Sequence, residues 1–168
     1  MRETKAELAS LQALLDRSFA GSGKHLREAF QQSKRPSADQ LVAALPDIFE
    51  MHLAVVTQAG APLSAPIDAL FLHGRVWFGL PGGSVRAPIV QREQRVSASF
   101  VGDGIAFIVH GTAVAADAAE FEEVCRDLYV ARYGPAFLEW QQEQQAKPAP
   151  AGFGGYIEPR VMFATAPA

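Results

Sequence analysis

Cysteine is nearly missing from this chain. Cys125 stands alone among 168 residues, which excludes an intramolecular disulfide and fits a reducing compartment. A basic surplus is missing too: 15 lysines and arginines face 18 acidic residues, a formal net charge of −3. A nucleic-acid partner is therefore not expected. No apolar run approaches the ~20 residues of a membrane-spanning helix, so no membrane partner is expected either. The opening residues, MRETKAELAS, lack the apolar core of a signal peptide. The expected location is the cytoplasm. His25, His52, His73 and His110 show no close ligand spacing and no cysteine cluster beside them, so no metal site is expected. Gly21-Ser22-Gly23-Lys24 falls short of a phosphate-binding loop, with Ser18 where the first glycine belongs and His25 in place of Ser or Thr. A nucleophile elbow and a dinucleotide-binding glycine fingerprint are also missing.

What is present is a core-forming chain of single-domain size, 49% hydrophobic and 20% charged. Residues 1–46 read as a helical extension packed on the strand-rich remainder of the chain. Thr4 with Glu7 is a capping box, and Leu8, Leu11, Leu15 and Phe19 share one face. Gly21-Ser22-Gly23 breaks that helix. A short second helix is predicted over Leu26 to Gln32, ended by Lys34-Arg35-Pro36. Ser37 with Gln40 opens a third, carrying Leu41, Val42 and Leu45 and stopping at Pro46.

From residue 47 onward strands dominate. Leu53, Val55 and Thr57 alternate with Ala54, Val56 and Gln58, and Gly60 with Pro62 makes a turn. Leu63 to Leu72 reads as a long strand in which Pro66 marks an edge or a bulge. His73-Gly74 closes a hairpin to Arg75–Leu80, and Gly102-Asp103-Gly104 closes another, before Ile105–Ala115. Asp117 starts a helix with Phe121, Val124, Cys125 and Leu128 on one face, ended by Gly134-Pro135. A second helix follows over Ala136–Gln145, then a Pro/Ala linker from Lys147 to Gly152. A last strand spans Gly154–Thr165, with an edge or bend at Pro159. Trp77 and Phe78 point to opposite faces of their strand, with plain packing the stronger reading for both. Cys125, on an apolar helix face, reads as inert packing.

Chemistry concentrates just beyond the third strand. PGGSVRAPIVQREQ places Ser84 and Arg86 at a turn or short helix. Backbone N–H groups, a hydroxyl and a guanidinium there suit a phosphate. That suggests a nucleotide-type cofactor on a small β-barrel. Taken alone, Arg86 reads first as a solvated turn arginine, and Ser84 equally as a helix cap.

HLAVVTQAGAPLSAPI, RVWFGLPGGSVRAPIVQREQRVSASF, FIVHGTAVAAD and GYIEPRVMFA, in that order, resemble the pyridoxamine 5'-phosphate oxidase-like flavin-binding split-barrel family. The likeness spans roughly residues 48–117 and 153–164. It implies an α+β, mainly β, fold: a six-stranded antiparallel split barrel at 47–168, with the N-terminal helices and a helical insertion before the last strand. It also implies a homodimer with the cofactor, FMN or the deazaflavin F420, in a groove at the interface. The ring would lie against Ser64, Ala65, Pro66, Ile67 and Asp68 with Gly79 and Leu80. The phosphate would be held by Arg86, with Ser84 and the Val85 N–H. Arginine suits this role because it stays charged and binds two phosphate oxygens together. Leu80 stands where many relatives carry Thr, and Ile89 near a common Asn, so fewer side-chain donors are implied. Pro88 removes a further N–H.

The implied function is an oxidoreductase moving hydride between bound FMN and a small organic substrate, with no catalytic side chain assigned. The alternatives are an F420-dependent reductase and a non-catalytic flavin- or haem-binding dimer. For haem, His110 or His73 would be the axial candidates.

Overall fold

Local capping sets where the chain first becomes helical. The computed structural model describes residues 3–29, 35–102, 104–146 and 151–166. Helix α1, Lys5–Ala20, begins where the Glu7 N–H donates to Thr4 Oγ1 at 3.2 Å and the Thr4 N–H to Glu7 Oε2 at 2.7 Å. A six-residue α2, Lys24–Ala29, follows; the remainder of the span expected to be helical, with Lys34, lies outside the described residues. Ser37 and Gln40 cap each other in the same way at the start of α3, Ala38–Ala44.

Six strands come next: β1 Phe49–Val56, β2 Pro62–Leu72, β3 Arg75–Leu80, β4 Arg95–Gly102, β5 Ile105–Ala115 and β6 Phe153–Thr165. Helix α4, Arg86–Arg92, joins β3 to β4; α5, Ala118–Tyr133, and α6, Ala136–Ala146, stand between β5 and β6. The strands close an antiparallel barrel in the order β1-β2-β3-β6-β5-β4. This is the expected α+β fold, with helices before the barrel and ahead of its last strand.

Punctuating residues act through backbone geometry. The β2–β3 hairpin turns at His73 and Gly74, with φ of 55° and 71°, the left-handed pair that matches strand twist. In the β4–β5 turn Gly104 has φ 78°, while Asp103 lies outside the described residues, as do residues 147–150 of the expected linker. Pro66 stands opposite His52 in an unbroken β1–β2 register, so it marks an edge and no bulge. At Pro159 the reverse holds. Gly111 pairs with Pro159 but His110 pairs with Val161, leaving Arg160 as the extra residue of a bulge. Pro88 costs no hydrogen bond, because it lies in the first turn of α4, where N–H groups have no helical partner.

The barrel is filled by one cluster that includes Met51, Leu53, Val55, Phe78, Phe107, Val109, Ile157 and Met162. Leu11, Leu14, Leu15 and Leu41 of the N-terminal helices join it, and Ser18 accepts the Met162 N–H at 3.0 Å. A second cluster forms outside the sheet, where α5 lays Cys125 and Leu128 on Leu70, Leu72 and Trp77. The continuous apolar run ALFL follows from that double covering. Both Trp77 and Phe78 are therefore packing residues: the Trp77 indole donates to the Leu72 carbonyl at 3.1 Å, and Phe78 stacks on Phe153.

Candidate functional site

The closed barrel has one seam where a strand edge is left without a strand partner, and the sequence explains where. β2 pairs with β1 along Pro62–Ala69 but with β3 only along Ala69–Leu72. Beyond that point β3 turns to β6, ending with Leu80 opposite Phe153. The first half of β2 thus has one edge unpaired by a strand. Proline at 62 and 66 fits such an edge, since neither ring has an N–H to lose there. Ser64 and Pro66 are exposed along it, with Ala65, Ile67 and Asp68 half-buried between them.

The segment after β3 folds across this edge. The Pro81 carbonyl accepts the Ser84 N–H at 2.8 Å, and Ser84 Oγ accepts the Arg86 N–H at 3.2 Å. Val85, not Ser84, is the N-cap of α4, and it is 71% exposed. The Ser84 hydroxyl instead braces the turn two residues before the helix is established. Arg86 then reaches back: its Nη1 donates to the Ala65 carbonyl at 3.0 Å and its Nη2 to that of Pro66 at 3.5 Å. Partial burial lowers the guanidinium's pKa, yet it remains a cation. Its other N–H groups can still meet an anion.

Ala65, Pro66, Ser84 and Arg86, far apart in sequence, therefore form one junction, with Ser64 and Ile67 beside it on β2. Asp68 is the next residue along, but its carboxylate accepts from the Tyr133 hydroxyl at the end of α5. That hydrogen bond raises the phenol's pKa, with burial adding to it. Leu80 is buried in the main core, and Gly79 lies under Phe121. A Cβ at Gly79 would sit 3.2 Å from the Phe121 ring, and one at Gly154 3.0 Å from it. These glycines permit close approach of α5 to β3 and β6.

Tyr133 is the residue the sequence did not single out here. Its partner is 65 positions away, and no local pattern connects them. The nearest hint is the aromatic spacing Tyr129, Tyr133, Phe137, whose rings stack at 5.1–6.1 Å between centroids.

Of the histidines weighed for haem, His73 lies nine residues along β2 from Ser64, about 30 Å at strand rise, and its Nδ1 contacts Glu7 Oε1 at 3.0 Å. His110 Nδ1 is paired with Ser97 Oγ at 2.8 Å on the adjacent strand. Among the described residues no group of His, Cys, Asp and Glu could hold a metal ion, and no helix is long and apolar enough to cross a membrane. Cys125 is 3% exposed, and burial pushes its thiol up to about 12. It should resist alkylation in buffer and react fully in denaturant; rapid labelling of the native protein, read by mass spectrometry, would show that α5 does not hold its place.

No family model and no curated protein sequence matches this chain. Solved structures do. The conserved hypothetical protein Rv2991 of Mycobacterium tuberculosis is similar with a TM-score of 0.65 at 15% identity, over 81% of this chain and 88% of that one. A structure described as an F420 reductase is similar with a TM-score of 0.52 at 14% identity, over 71% and 93%. A Listeria innocua protein assigned as a pyridoxamine 5'-phosphate oxidase reaches 0.50 at 13% identity, over 68% and 86%. With its closed six-strand order and its seam beside β2, the chain has the fold of the pyridoxamine 5'-phosphate oxidase-like split barrels.

Proposed function

We propose that this protein is a homodimeric flavin-binding oxidoreductase, with FMN the first candidate cofactor and F420 the alternative. The observation that carries the reading is the convergence of Arg86 and Ser84 on the unpaired edge of β2. A permanently charged fork beside free backbone groups is the donor set that a phosphate-bearing, flat heterocycle needs. Leu80 and Ile89 add no hydroxyl or amide, so in this reading Arg86 carries most of the phosphate's charge. When bound, a flavin or deazaflavin supplies the hydride chemistry.

The residues of this chain bind and orient. Ser64, Ala65, Pro66 and Ile67 offer an extended edge for the polar side of a ring. Tyr133, held by Asp68, positions the end of α5 beside that edge. Gly79 and Leu80 offer backbone groups from the end of β3, while Gly79 also seats α5 and the Leu80 side chain fills the core beneath the turn.

Self-association is supported by the outer face of β1, β4 and β5. Val56, Val101 and Ile108 are 45%, 83% and 44% exposed on it, among His52, Ala54, Ser97 and Ser99. A second copy covering that face would bring a partner's surface to the seam. The cytoplasm remains the proposed location, since the single buried thiol suits a reducing medium.

The test is an absorption spectrum of the purified protein, then titration with FMN, F420 and haem while mass is followed by sedimentation. Saturable FMN or F420 binding by a dimer is the expected result. A Soret band with no flavin binding would replace it with the haem reading. A monomer binding none of the three would refute the proposal.

A further inference from the structure

A cavity of about 310 Å³ lies between α1, the segment entering α3 and the end of β6, and shares no residue with the seam. Its apolar wall is Leu15, Phe19, Met162, Phe163 and Ala164; its polar wall is Gln12, Asp16, Arg35, Ser37 and Gln40. We propose that this cavity binds a small amphipathic oxyanion, a single-ring carboxylate or phosphate ester, through Arg35.

Arg35 carries the argument. Its guanidinium lies over the Phe19 ring, 3.8 Å from the centroid. Its Nε is buried with no hydrogen-bond partner, and none of the ion pairs of the described residues includes it. Buried donors are nearly always satisfied, so a guanidinium with an orphaned Nε and no ion pair, lining a cavity, is a cation short of acceptors. A guanidinium stacked on an aromatic face is also held flat, ready for a bidentate anion.

The other polar groups narrow the choice. Gln12 is largely engaged: its Oε1 accepts the Ala38 N–H at 2.8 Å and its Nε2 donates to Asp16 Oδ1 at 3.0 Å, which leaves one amide N–H. Gln40 Oε1 accepts the Ser37 N–H at 2.9 Å, which leaves its amide N–H groups as donors. Ser37 Oγ accepts the Gln40 N–H at 3.3 Å, which leaves its own hydroxyl proton to give. Apart from the Asp16 carboxylate, the groups with capacity left near Arg35 are donors, as an oxyanion requires. Asp16 is exposed and anchored to Gln12, so its charge stands at the solvent side and disfavours an anion there.

Size and polarity select the remainder of the ligand. The volume is at the low end of small-molecule pockets, enough for one ring and an acid group. Water alone would leave the Leu15, Phe19 and Met162 wall in poor contact. The α1 face also departs from its expected pattern in a telling way. Leu14 and Ser18 are buried, whereas Phe19, expected with the core leucines, is half-buried in the cavity wall beneath Arg35.

The test titrates the purified full-length protein with benzoate, phenyl phosphate and inorganic phosphate, reading heat and the Arg35 Nε–H resonance. Saturable binding of benzoate or phenyl phosphate that shifts this resonance is expected, with inorganic phosphate at least tenfold weaker. The better of the two aromatic probes identifies the acid group. Arg35→Met should raise the dissociation constant at least tenfold, and Arg35→Lys less. No saturable binding by either aromatic probe, or binding that leaves the Arg35 resonance unmoved, overturns the proposal. The resonance reads the contact in wild-type protein, so a variant that fails to fold does not remove the test. Flavin titration of the same sample should be unchanged, which separates this site from the seam.

Discussion

Phe107→Ala should cost about 3–5 kcal/mol of stability, the range for deleting a buried ring. Phe107 is 1% exposed near the start of β5, between strands on both sides. Its ring meets Phe49 edge-on at 5.6 Å and contacts Phe100 at 5.8 Å and Phe71 at 6.5 Å. Those partners sit on β1, β4 and β2, each held by its own ladder. The barrel wall therefore cannot collapse into the hole, and the cavity term adds to the lost transfer energy. A loss of that size is a large part of the roughly 5–15 kcal/mol of a typical domain. Urea unfolding followed by circular dichroism should show a much lower midpoint with an unchanged slope. Phe107→Leu, which keeps most of the volume, should cost less than half as much. An alanine variant within about 1 kcal/mol of wild type would mean that the ring cluster is not what closes the barrel.

Arg86→Ala should weaken FMN or F420 binding by more than tenfold. A charge-assisted hydrogen bond contributes about 1.5–3 kcal/mol, and each 1.4 kcal/mol is a factor of ten. The side chain has a second role that must be separated from the first. It donates to the Ala65 and Pro66 carbonyls, so its removal also releases the turn from β2. Arg86→Lys resolves the two. Lysine keeps the charge but lacks the planar fork, so binding should recover in part. Thermal midpoints should differ little among the three proteins, because both acceptors lie on a partly solvated edge. An unchanged dissociation constant in Arg86→Ala would remove Arg86 from the phosphate site and leave the seam without its cation.

The legible parts of the molecule are those whose cause is local. Thr4 with Glu7 and Ser37 with Gln40 each satisfy orphan N–H groups within one turn, so their capping could be read directly. His73-Gly74 accepts left-handed backbone that other pairs resist, so the hairpin was readable too. Strand alternation and the order of turns marked the strands, and the resemblance to the split-barrel family added the six-stranded barrel and the role of Arg86 beyond β3.

Other features depend on residues brought together only by closure. The resemblance named Leu80 and Gly79 for backbone contacts, and it left open where their side-chain positions would pack. One turned into the core, and the other came to lie under Phe121, because β3 leaves β2 for β6 at that point. Asp68 met Tyr133 across 65 positions, and Pro159 became a bulge because Gly111 faces it. Periodicity assigns a side chain to a face of its own element, and capping assigns it to its own turn. Neither says which distant element will cover that face. The sequence determined the elements, their order and the chemistry available; packing among strands and helices decided which groups share a site.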